Sequence, residues 1–308
     1  MTVPVLPENR FSEFKSYLER VGFAFEERPH QVFLARSPGL VVSLYRSGKV
    51  VIAGRDRRLE REVTWYLDRL GAAGEALPER LARVFGRARI GTDESGKGDF
   101  FGPLVVAGVF LSPEAERMTG KLGVRDSKEL SDRRVAELEP GIMAAAGAGG
   151  WEVLRIDPKR YNTLYGEMGN LNILLAWAHS RVIENLLRSH PGCTLAVVDQ
   201  FSAAALDGAL LDRGRMVEVV QSIRGERDPA VACASVLARA EFLRRLDRMG
   251  EEYGLVFPKG ASAVLPFARQ FVAQRGLARL GMVAKLHFQT AKKITGGSAL
   301  VAGRGKAQ

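Results

Sequence analysis

The sequence predicts an α/β protein, a mixed sheet flanked by helices, preceded by a smaller α+β unit. Three observations predict it. Apolar runs of strand length at 88–92, 104–111, 151–156, 194–198 and 216–220 begin before, and then alternate with, helical periodicity at 131–146, 170–188 and 229–248. The stretch 71–78 (GAAGEALP) is small and Pro-containing and reads as a linker. A length of 308 residues suggests two domains. The boundary is therefore expected near residue 85, with an N-terminal domain and linker over 1–85 and a larger domain over 86–308.

The elements follow in order. Ser12 is expected to cap a short helix with Phe14, Leu18 and Val21 on one face. Apolar segments at 31–36, 40–45 and 49–53 read as strands, the last two joined by a turn at Arg46-Ser47-Gly48. A helix is expected from about Arg57 to Leu70. In the larger domain the run Thr194–Val198 is short and wholly apolar, as a buried strand should be, and it ends at Asp199. The Gly/Ala-rich tail after about 295 is expected to fray.

Composition narrows the function. At 46% hydrophobic and 26% charged, the chain is ordinary for a globular protein. No stretch approaches the 18–20 apolar residues of a membrane span, and the first 30 residues hold five glutamates and no apolar core of a secretory signal. Two cysteines, Cys193 and Cys233, without a C-x-x-C, argue against a disulfide scaffold and fit a reducing cytoplasm. Net charge is +10, and the segment Tyr253–Gln308 carries nine basic residues and no Asp or Glu. That asymmetry suits a polyanion such as nucleic acid, or a solvated tail that aids solubility.

The chemistry concentrates in Ile90-Gly91-Thr92-Asp93-Glu94-Ser95-Gly96-Lys97-Gly98-Asp99. Two carboxylates end a strand and a Gly-Lys-Gly turn follows. A P-loop is disfavoured: Gly98 stands where a metal-binding hydroxyl is needed, and Asp93 and Glu94 would aim negative charge at phosphates. The alternative is a divalent-metal site. Adjacent strand residues point to opposite faces, so both carboxylates can contribute only where the strand end distorts. Mg²⁺ takes oxygen ligands and keeps several waters. Gly96 and Gly98 would admit a sugar-phosphate, and Lys97 would add charge. An acidic surface turn is the bland alternative. Asp199 sits at the carboxyl end of its strand, where open α/β sheets place their sites, or else serves as a turn residue. Glu226 and Asp228 precede the Ala-rich helix and could simply complement its dipole. Asp126-Ser127-Lys128 is a further phosphate-binding candidate.

Together these residues resemble a type 2 ribonuclease H, and most closely ribonuclease HIII. The resemblance rests on Gly91–Gly102, Asp126-Ser127-Lys128, Val198-Asp199-Gln200 and Pro229–Ser235, with Pro258–Ser262 and Lys285-Leu286-His287-Phe288. Leu44–Lys49 resembles that family's substrate-binding domain, related to the TATA-binding-protein fold. The resemblance implies a ribonuclease H-like catalytic domain. It implies Asp93, Glu94 and Asp199 as three of four metal carboxylates and Glu226 as the fourth, with Asp228 the runner-up. It implies two Mg²⁺ or Mn²⁺ ions, hydrolysis of the RNA strand of RNA/DNA hybrids to 5′-phosphate and 3′-hydroxyl ends, and a monomer as the default state. Ser95, Gly96, Lys97, Gly98, Ser127 and Lys128 are the expected substrate contacts, with the glycine turn reading the 2′-hydroxyl. The alternatives are ribonuclease HII-like cutting at single ribonucleotides in DNA and a non-catalytic nucleic-acid-binding protein. Phe33, Trp151, Trp177 and His287 are expected to be packing residues, and Asn170 and Asn172 caps; His30, His179 and His190 have no metal-ligand spacing.

Overall fold

The structure is a computed structural model. It describes residues 4–56, 59–60, 63–64, 66–67, 70, 73–74, 84, 86–124, 127–199, 206, 208–211, 213–222 and 225–295. The expected helix over 57–70, Asp126, Gln200 and the tail after 295 lie wholly or largely outside these residues. The chain forms two compact units, Met1–Glu79 and Arg80–Gln308.

In the first unit, β1 (Pro4–Val5) leads through a single 3₁₀ turn into α1 (Phe11–Arg20). Ser12 does not cap this helix. The helix starts one residue earlier, behind Arg10, whose guanidinium instead meets Glu13 at 2.7 Å. Phe14, Tyr17 and Leu18 face inward. They meet a four-stranded antiparallel sheet, β2 (Ala24–Glu26), β3 (Gln31–Ser37), β4 (Leu40–Tyr45) and β5 (Val50–Gly54), in that spatial order. The register pairs Phe33 with Leu44 and Ala35 with Val42, so alternate apolar residues share one face and bury together. Phe33 is thus a core residue, as expected. The predicted turn at 46–48 closes through Gly48 N–H to Tyr45 O at 2.9 Å. A two-residue strand, β6 (Ala73–Gly74), pairs with β1.

The second unit is a five-stranded mixed sheet. Its strands are β7 (Arg89–Ser95), β8 (Leu104–Leu111), β9 (Trp151–Ile156), β10 (Leu195–Asp199) and β11 (Glu218–Ser222), in spatial order β11-β10-β7-β8-β9. Strands β7, β8 and β9 run antiparallel; β10 lies parallel to β7 and β11 to β10. β8 is apolar throughout because both its faces are covered. Val105, Ala107, Val109 and Leu111 join one core, Leu104 and Val106 the other. The first core is built with α2 (Pro113–Lys121), α3 (Asp132–Ala146) and α6 (Pro229–Tyr253). The second is built with α4 (Pro158–Met168) and α5 (Leu171–Ser189). Short helices α7 (Leu265–Arg275), α8 (Leu280–Val283) and α9 (Gln289–Thr295) complete the chain. The mixed sheet between helical layers is the predicted fold. Asn170 caps α5 as expected, accepting from Asn172 N–H, whereas Asn172 itself lies inside the helix. β11 starts two residues later than the sequence suggests, because Gly214–Met216 winds into a 3₁₀ turn. Trp151 and Trp177 pack against the cores but stay partly exposed.

Candidate active site

Position follows from the sheet. Val198 of β10 is level with Thr92 of β7, so Asp199 and Asp93 are neighbours at the carboxyl ends of two parallel strands. Asp93 is 4% exposed, and its Oδ1 accepts the Glu94 N–H at 2.8 Å. Burial pushes its carboxyl well above the usual range, and the charges of Glu94 and Asp199 push the same way. A hydrogen bond with Ser235 of α6 opposes them.

Asp93 bonds Ser235 of α6 and Glu94 reaches His179 of α5, yet the two carboxylates stay close enough for the charge of Glu94 to act on Asp93. Glu94 Oε2 lies 3.2 Å from His179 Nε2, and Oε1 accepts from Lys97 Nζ at 3.1 Å. A carboxylate can only accept, so Nε2 carries the ring hydrogen and Nδ1 takes the Thr92 hydroxyl, 2.8 Å away. Burial alone would raise Glu94; His179 and Lys97 outweigh it and bring it down to about 2. His179, set aside in the sequence because it has no metal-ligand spacing, thus orients a candidate-site carboxylate, and nothing in its local sequence signals this.

Asp199 Oδ1 accepts the Gly225 N–H at 3.0 Å, which brings the Gly225–Arg227 turn, and with it the backbone of Glu226, up to the site. Asp228 has a different task. Its Oδ1 caps α6 through Ala230 and Val231 N–H, and its Oδ2 meets Arg89 Nε at 2.6 Å; both side chains are fully buried. Arg89 also bridges to Glu116 at 2.8 Å. Asp228→Ala is expected to cost about 3 kcal/mol, because it removes one of the two carboxylate partners of a buried guanidinium and uncaps the helix. Urea unfolding measures the loss. Metal-dependent cleavage per folded molecule should persist.

The glycine turn adjoins Glu94. Gly96 has φ +85°, and a Cβ there would lie 2.2 Å from Pro103 O, so only glycine closes this turn. Asp99 N–H donates to Gly96 O at 3.2 Å, Gly98 is exposed and Lys97 half-exposed. Ser127 is buried, its hydroxyl 2.7 Å from that of Ser235, so it joins the site through the serine that bonds Asp93; Lys128 is exposed. His287 packs between Tyr165 and Phe288, as expected.

Among the described residues no three His, Cys, Asp or Glu side chains form a closed metal cage. The donor set nonetheless fits a hard divalent cation, which needs few protein carboxylates and keeps water. Asp93, buried beside Glu94 and Asp199, is a carboxylate whose charged form a bound cation would stabilise.

Comparison with known proteins agrees. A family model described as Ribonuclease HII matches residues 90–291. Ribonuclease HIII of Chlamydia felis is 35% identical over 302 residues, covering 95% of this chain and 96% of that one. Ribonuclease HIII of Chlamydia caviae is 37% identical over 290 residues, covering 91% and 92%. The crystal structure of Bst-RNase HIII in complex with Mn²⁺ matches at TM-score 0.67 and 27% identity, covering 96% of this chain and 98% of that one. Aquifex aeolicus RNase H3 matches at TM-score 0.54 and 27% identity, covering 92% and 98%. Fold and site thus define a ribonuclease H, a hydrolytic endonuclease that works with divalent metal. Within that class, the chain belongs to the ribonuclease HIII family. The sequence resemblance is confirmed, and the purely non-catalytic reading falls with it.

Proposed function

We propose that the protein hydrolyses the RNA strand of RNA/DNA hybrids, with Asp93, Glu94, Asp199 and Glu226 holding two Mg²⁺ or Mn²⁺ ions. The observation that carries this is the buried Asp93, beside Glu94 and Asp199 at the carboxyl ends of parallel strands and next to the Gly96–Gly98 turn, whose Gly98 is exposed. When bound by these residues, the ions would supply activation of the attacking water and charge to stabilise the leaving 3′ oxygen, which corresponds to 5′-phosphate and 3′-hydroxyl ends.

The chain's own residues do the rest. His179 and Lys97 hold Glu94 ionised and aimed, so the metal does not meet a protonated ligand. Ser235 holds Asp93. The exposed Gly98 and the half-exposed Ser95 and Lys97 offer backbone to a sugar edge to read the 2′-hydroxyl, the buried Gly96 closing the turn behind them; Lys97 and the exposed Lys128 supply charge for phosphates, and the buried Ser127 sits behind Lys128. The Met1–Glu79 unit adds grip on the duplex. No described helix is long and apolar enough to cross a membrane.

One gel tests the reading. End-labelled RNA paired to DNA is incubated with and without Mg²⁺, beside a DNA strand carrying one ribonucleotide. Mg²⁺-dependent cutting of the hybrid alone is the expected result. Cutting both substrates moves the specificity toward that of ribonuclease HII, and cutting neither, with Mn²⁺ also tried, overturns the reading. In the same assay a chain lacking residues 1–85 should show a raised KM far more than a lowered kcat.

A further inference from the structure

Lys285 is fully buried, a costly place for an ammonium group. Its Nζ donates to two uncharged backbone carbonyls, Asp99 O at 2.8 Å and Gly102 O at 2.7 Å, and lies 5.7 Å from the centre of the Tyr161 ring. Burial outweighs the pull of the nearby Asp99 carboxylate and brings its pKa down to about 7. That carboxylate is itself engaged, accepting the Gly260 N–H at 2.6 Å. A methionine would fill the space without the desolvation penalty. What lysine adds is several donors on one atom.

Both acceptors belong to the segment that leaves the Gly96–Gly98 turn. Backbone bonds hold that segment on the same side. Gly102 N–H donates to Val283 O at 3.0 Å, Lys285 N–H to Phe100 O at 2.9 Å, and Phe100 N–H to Gly260 O at 2.9 Å. The turn passes directly into this arm, since Asp99 both closes it onto Gly96 and offers its carbonyl to Lys285. Asn162 of α4 anchors the segment that carries Lys285. Its Nδ2 donates to Gly281 and Ala284 carbonyls, and its Oδ1 accepts Leu286 N–H.

We propose that Lys285 is a positioning residue for substrate: by clamping Asp99 and Gly102 it sets the backbone of the Gly96–Gly98 turn, so hybrid binding depends on a side chain that never touches the nucleic acid. The proposal rests on the reading that this turn receives the substrate strand. A misplacement of about 1 Å can cost up to about 100-fold in turnover of bound substrate, so a shift of the turn is readable in the kinetics on the hybrid.

The test uses the full chain and its Lys285→Met and Asn162→Ala variants, each first checked for a cooperative thermal transition. The readouts are kcat and KM on an RNA/DNA hybrid in Mg²⁺, the Kd of a fluorescent hybrid in EDTA, and amide hydrogen exchange over residues 96–102. Lys285→Met should raise KM and Kd about 10-fold, lower kcat by less, and speed exchange in 96–102 specifically. Asn162→Ala should move the same readouts the same way by a smaller factor, and it carries the test if Lys285→Met does not fold. A folded variant with unchanged KM and unchanged exchange overturns the proposal. So does a fall in kcat at constant KM, which is what mere loss of folded protein produces. If the wild-type chain neither cuts nor binds the hybrid, the function reading is what fails, and the exchange data still report whether the clamp exists.

Discussion

Asp93→Asn should abolish hybrid cleavage, by about 10³-fold or more in kcat, while hybrid binding stays within a few-fold of wild type. The substitution keeps the shape of the side chain and removes its charge. Asp93 is buried and repelled by both Glu94 and Asp199, so the metal-free fold carries this carboxylate at a cost. The neutral amide relieves that repulsion. The metal-free variant should therefore melt no lower than wild type, and the stabilisation that Mg²⁺ or Mn²⁺ gives the wild type should shrink. Thermal unfolding with and without metal, beside single-turnover cleavage, reads both. A residue kept for packing would behave oppositely, losing stability and activity together. Cleavage by Asp93→Asn at the wild-type rate would remove Asp93 from the metal site.

Gly91→Ala should destabilise the Arg80–Gln308 unit by roughly 3 kcal/mol or more. A Cβ at Gly91 would stand 2.2 Å from the Ala230 carbonyl carbon and 2.3 Å from the Val231 nitrogen, both backbone atoms of α6 that have no rotamer to yield. The helix must back away from β7. Its Ser235, which reaches Asp93, moves with it, so activity of the remaining folded protein should fall as well. The Cm of urea unfolding measures the first effect. A Cm equal to wild type would mean that α6 does not lie against β7 as described. The small residues of Ala230–Ser235 have the same cause, because only short side chains let helix and strand backbones approach this closely.

Much of the candidate site was legible because its signals are local. A carboxylate pair at a strand end followed by Gly-Lys-Gly, and an apolar strand ending in Asp, each declare themselves within ten residues. The strands and main helices were legible for the same reason, through their periodicity. Ser12 misled because the apolar face, and with it the helix, starts one residue before it, leaving Arg10 at the cap position with no side-chain cap bond. The helix α4 and the short helices after 265 escaped notice because they offer few residues from which to read a period.

The sequence by itself determined the fold class, the family, and three of the carboxylates expected at the site. Those properties depend on periodicity and on short ordered strings of residues. Tertiary structure alone decided which acids and bases meet. Asp228 looks as apt a ligand as Glu226 until Arg89, 139 residues away, takes it. His179 carries no motif until Thr92 and Glu94, 87 and 85 residues away, close on its two ring nitrogens. Lys285 is one basic residue among nine in the C-terminal segment until folding buries it under the arm of the glycine turn, 186 residues from Asp99. The physical reason is common to all three: the role of a polar side chain is set by the partners that replace its water, and those partners come from strands and helices that only the folded sheet brings together.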